Sequence, residues 1–150
     1  MESQLPGDGT WTRRSVPRLQ RIAGLLTADL QRTLPGQWRA DVDEYFVLFI
    51  TDGHRQEGRL LAAEVIVDNW PDEAWEPEVR EDTLDDDASE AIAMEISEVL
   101  DSWGQPWPLC PAHTESLEMC SMTWVCDGPP VHDVCALGEL RPAGQSRQRR

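Results

Sequence analysis

No lysine occurs in this chain of 150 residues. Its cations are 13 arginines set against 28 acidic residues, for a formal net charge of −15. A surface so poor in positive charge cannot track a phosphate backbone, so nucleic acid is not an expected partner. Long apolar runs are missing too. No N-terminal stretch has the form of a signal peptide and none reaches membrane-spanning length, so a cytoplasmic protein with no membrane partner is expected. There is no Gly-rich phosphate loop, no Gly-x-Ser-x-Gly and no His-Glu-x-x-His, which argues against P-loop, nucleophile-elbow and zincin chemistry. The calcium-loop pattern with its central glycine is also absent. Apolar residues still make up 40% of the chain, enough for a core, and seven of them are tryptophan.

The acid is unevenly spread. Residues 40–101 carry twenty acids against three arginines, whereas residues 1–39 carry six arginines against three acids. Such a middle is either a solvated face or a recognition surface for a basic protein partner.

Hydrophobic spacing orders the elements. Residues 1–14 lack periodicity and read as a flexible arm, with Trp11 able to dock. Ser15-Val-Pro17 has the form of a helix start, and Leu19, Ile22, Ala23, Leu26, Leu30 and Leu34 follow at helical spacing until Pro35-Gly36. Trp38, Ala40 and Val42 alternate with polar residues, as in a strand with one wet face. Asp43-Glu44 marks a bulge or a turn. Tyr45–Ile50 is continuously apolar, as in a strand covered on both faces, and Leu60–Val67 is expected to return as its hairpin partner. Asn69–Leu84 reads as an acidic connector, in which Trp70 and Trp75 either pin the connector to the core or form an exposed partner-binding patch. Asp85-Asp86-Asp87 then suits a helix N-terminus, followed by a buried stripe of Ala88, Ile92, Ile96, Val99 and Trp103 up to Gly104 and Pro106. The expected fold class is α+β: a helix, an antiparallel β-meander, a second helix and a C-terminal zinc-ribbon-like hairpin. The divisions are an α+β core over 15–104, a ribbon-like unit over 105–140 and a disordered tail over 141–150.

The chemistry lies in the last third. All four cysteines and two of the three histidines fall between residues 110 and 135. Cys110-x-x-His113 is a knuckle spacing, and Leu117–Met119 and Thr123–Val125 suit two strands around a turn near Ser121. Cys126 then closes back on the knuckle. The candidate metal set is Cys110, His113, Cys126 and His132, with Cys135 and Cys120 competing for the fourth place and structural zinc as the cofactor. Without metal, the same segment reads as a ribbon packed on Trp107, Leu117, Trp124 and Leu140, with buried thiols or a Cys110–Cys126 disulfide. Cys126 with His113 or His132 also permits a Cys–His nucleophile. The acids Asp82, Asp85, Asp86, Asp87 and Glu90 are a cation candidate, for which helix capping is the simpler account. His54 reads as a surface histidine.

Trp107-Pro-Leu-Cys110-Pro-Ala-His113, Leu117, Trp124-Val-Cys126 and Leu137-Gly-Glu-Leu140 resemble the C-terminal segment of small uncharacterised actinobacterial proteins. That segment runs Trp-Pro-x-Cys-Pro-x-His-x-His-Pro-Leu, then Trp-x-Cys-Pro, then Ile-Gly-x-Leu. The resemblance covers about the last quarter of the chain and implies a single small supersecondary unit. Glu115 stands where that pattern has a second His, and Asp127 where it has Pro. No activity follows from the resemblance. The expected role is a non-catalytic interaction or regulatory factor, of the immunity or inhibitor kind. A hydrolase or nuclease using the Cys/His cluster or the acidic helix start is the alternative.

Overall fold

A computed structural model describes residues 10–62, 77–113 and 115–142, with side chains from 16–62, 84–113 and 115–142. Of the expected arm over 1–14, residues 1–9 lie outside the described residues, as do Trp70, Trp75 and the tail beyond 142, while residues 10–14 are the first turn of a helix. The order is α1 (Thr10–Thr33), β1 (Arg39–Val42), β2 (Val47–Thr51), β3 (Gln56–Leu60), α2 (Pro77–Ser102), β4 (Leu117–Cys120), β5 (Thr123–Cys126) and β6 (His132–Ala136). The fold is α+β, with two three-stranded antiparallel sheets, β1-β2-β3 and β4-β5-β6.

Helix α1 buries the predicted stripe, Leu19, Ile22, Ala23, Leu26 and Leu30. It begins five residues before the expected cap at Ser15, and Pro17 lies inside it. The same helix seals one edge of the first sheet. Gln20 Nε2 donates to the Val42 carbonyl, Thr27 Oγ1 bonds both N–H and C=O of Ala40, and Gln31 Nε2 donates to the Trp38 carbonyl. These side chains stand in for a fourth strand and leave that stretch of edge unavailable for pairing.

The β1–β2 link is a turn, as expected, built on Asp43, whose Oδ1 accepts from Tyr45 N and Val47 N. Strand β2 is not covered on both faces. Tyr45 is exposed in the turn, and β2 buries only Leu48 and Ile50 fully. The third strand comes earlier than the apolar run suggested. Asp52 Oδ1 accepts from His54 N and Arg55 N, which reverses the chain at once and starts β3 at polar Gln56. Residues 63–67 of the expected strand lie outside the described residues.

Helix α2 also starts early, at Pro77, so Asp85–Asp87 do not cap it. A proline in the first helical turn loses no hydrogen bond there, which makes Pro77 the better start. Asp85 instead reaches Arg18 and Arg21 of α1. Ala88, Ile92, Ile96 and Val99 are buried as predicted, and Trp103 packs partly buried against them. The helix ends in a Schellman motif. Gln105 N donates to Leu100 O and Gly104 N to Asp101 O, with Gly104 at φ +79°. One buried cluster then runs from α1 through both sheets and includes Trp107, Cys110, Trp124, Cys126 and Leu140.

Candidate metal centre

The site is assembled by local rules. Pro108–Cys110 runs beside the start of β4, with Cys110 N donating to Glu115 O and Leu117 N to Pro108 O. This closes the knuckle loop that carries His113. Strands β4 and β5 meet at Ser121-Met122, as predicted, and both residues take positive φ, 51° and 65°. That is a two-residue turn of the type whose twist matches a hairpin, held here without glycine or asparagine. Glu90 of α2 accepts from Ser121 N, and Met122 O accepts from Leu137 N, so tertiary bonds hold the strained turn in place.

Strand β6 is an element beyond the expected hairpin. After Cys126 the chain turns at Gly128, φ +84°, where a Cβ would collide with the Pro130 carbonyl group. It returns antiparallel, and His132 pairs directly opposite Cys126. A histidine too far along the chain for a knuckle is thereby the cross-strand neighbour of a cysteine.

The ligand atoms of Cys110, His113, Cys126 and His132 all lie within 4.8 Å of one another. Cys110 Sγ is 3.8 Å from His113 Nδ1 and 3.7 Å from His132 Nε2, and Cys126 Sγ is 3.4 Å from His113 Nδ1. The two imidazoles meet edge-on at 5.0 Å. The His132 Nδ1–H donates to the Pro130 carbonyl at 2.8 Å, which leaves the Nε2 lone pair turned to the cluster. Outer-shell carbonyls orient ligating histidines in this way. Both cysteines are buried, His132 is half-buried and His113 is exposed.

Burial presses the Cys110 thiol upward, but N–H groups of Ala112 and His113, then His132 and Cys126, overrule it and bring it below 9.0. Burial raises the Cys126 thiol, against a 3.3 Å bond from Gly128 N and with Cys110 adding to the rise. His132 is raised by the Pro130 carbonyl and then by Cys110. A cation bound here would compete with protons at these groups.

The two competing cysteines lie elsewhere. Cys120 is exposed at the far end of β4, about 10 Å of strand from the site. Cys135 stands opposite Trp124, past a bulge in the ladder, and burial beside Asp29 pushes its thiol up to about 11. Among the described residues, the Cys110/His113/Cys126/His132 group is the one cluster of such side chains placed to share an ion. The acids at 85–90 do not converge: Asp85 engages arginines and Glu90 holds Ser121.

One residue that anchors the site went unnoticed in the sequence. Asp29, fully buried on α1, accepts from Trp124 Nε1 and Gly138 N on Oδ2 and from Leu140 N on Oδ1. Its position, seven after Ile22 and three after Leu26, places a carboxylate on the apolar stripe, which was the available signal.

Comparison with protein-family models, curated proteins and solved structures finds nothing that matches this chain, so the site is read from its geometry alone. Among the described residues no helix is long and apolar enough to cross a membrane.

Proposed function

We propose that Cys110, His113, Cys126 and His132 hold a structural zinc ion, and that the protein acts by binding another protein and not by catalysis. The observation that carries the zinc reading is the spacing of the donor atoms. Tetrahedral zinc with Zn–S near 2.3 Å and Zn–N near 2.05 Å sets sulfur and nitrogen about 3.6 Å apart. The three separations are 3.4, 3.7 and 3.8 Å. Four protein donors close the coordination sphere, whereas a catalytic zinc keeps a position open for water or substrate. A Cys–His nucleophile is disfavoured because Cys126 is fully buried and its thiol is raised, the reverse of activation. The likeness of the Trp107–Leu140 segment to the actinobacterial pattern is compatible with a ribbon-like unit. The charge of −15 favours a basic protein partner for an immunity- or inhibitor-like factor.

Metal content of protein purified under reducing conditions tests the zinc. Close to one zinc per chain is expected, with Cys110→Ser and His132→Ala each losing most of it. Less than about 0.2 zinc per chain in the native protein would exclude the site, since an intact structural centre is nearly full.

A further inference from the structure

The outer edge of β4 runs along a crevice of about 340 Å³ beneath α2. Ala93, Met94 and Ser97 line it from the helix, and Leu117, Glu118 and Met119 from the strand. Successive strand residues point to opposite faces, so a crevice touched by all three follows the edge of the strand and not one face. Its floor reaches Trp124, and Glu90 stands at its helix side.

That edge offers backbone groups. Cys120 and Thr123 flank a two-residue turn, so Cys120 and Glu118 bond to β5 while Leu117 and Met119 turn their N–H and C=O groups outward. Leu117 N donates outward to Pro108 O at 2.9 Å, in keeping with this parity. Proline has no N–H to give back to the Leu117 carbonyl. No backbone group among the described residues bonds Met119 from that side. Apolar surface is exposed beside it, since Met94 keeps 58% of its accessible surface. The lining's charged groups are Glu90 and Glu118, both exposed, with no arginine among them.

We infer that this crevice takes an extended basic segment of a partner protein as an added strand along β4. The segment's backbone pairs with Met119, an apolar side chain enters against Met94 and Leu117, and flanking Arg or Lys side chains reach Glu118 and Glu90. Strand addition draws affinity from main-chain bonds and selectivity from alternate side chains, which suits an edge with one apolar slot and acidic shoulders. This deepens the protein-binding reading of the preceding subsection and rests on it.

The test is fluorescence anisotropy of the full chain with two labelled probes, acetyl-Arg-Leu-Arg-Leu-Arg-amide and the same peptide with Ser for Leu. The Leu probe is expected to bind at least about fivefold tighter than the Ser probe. Met94→Gln and Glu118→Gln should each weaken it at least about fivefold, and Glu139→Gln, outside the crevice, should not. N-methylating one alternate set of peptide amides should abolish binding while the other set is tolerated. Equal binding of both probes, indifferent to Met94→Gln, would overturn the crevice and leave a diffuse acidic surface as the binding face. Binding of neither probe would overturn the crevice and the basic-partner reading together.

Discussion

Asp29 ties the C-terminal unit to α1 through three hydrogen bonds. Its two carboxylate oxygens receive Trp124 from β5 and the amides of Gly138 and Leu140, with Arg32 3.6 Å away. Arg32 in turn donates to the carbonyls of Gly138 and Leu140. Burial pushes the Asp29 carboxyl above 3.8, and the bonds from Trp124, Leu140 and Gly138 hold the rise back. An amide cannot replace it, because its NH2 would face at least one N–H donor. Asp29→Asn is therefore expected to cost about 1–3 kcal/mol, seen as a lower urea midpoint with an unchanged slope. The apolar members of α1 were legible from their spacing. The value of Asp29 was not, because its partners lie 95 to 111 residues away.

At the scale of elements, helices were read better than their beginnings. Apolar stripes at helical spacing survive any choice of partner, whereas a start depends on which turn first finds packing. Strand β3 shows the opposite case. Its residues Gln56–Leu60 alternate between exposed and half-buried, so no apolar signal marks them. The turn before it decides the pairing. Hydrogen bonds from the Arg55 and His54 amides hold the Asp52 carboxyl down at about 2, from 3.8, helped by the Arg55 side chain. A carboxyl lowered on folding adds stability above its unfolded value, and loses it as pH falls through the folded one. Asp52→Ala should thus be less stable than the native protein at pH 6. The gap should narrow as pH drops from 3.8 towards about 2, measured as the difference in urea midpoints. A gap that stays constant with pH would mean that the turn does not depend on the charge.

At the scale of the whole molecule, the Cys/His cluster and Asp29 hold the second sheet at separate points. The cluster ties the knuckle loop to β5 and β6, while Asp29 ties β5 and the chain after β6 to α1. If the cluster holds the proposed zinc, chelation should loosen the first tie and spare the second. Hydrogen exchange after chelation is expected to accelerate in residues 117–136 at least about tenfold, and much less in residues 19–30 of α1. Equal acceleration of both would mean that the two layers unfold as one unit. The chain alone announced donor chemistry and a knuckle, because sulfur and imidazole at short spacing need no partner to be recognised. It also announced two helices, whose apolar spacing is a local signal, and a turn near Ser121, from the short strand patterns on either side of it. It left the fourth donor open among His132, Cys135 and Cys120. Tertiary structure sets the three apart: the reversal at Gly128 and the pairing of β6 with β5 bring His132 opposite Cys126 and carry Cys135 away to Asp29. Cross-strand neighbours are fixed by register, which follows from the turn and the burial of one sheet face, not from distance along the chain.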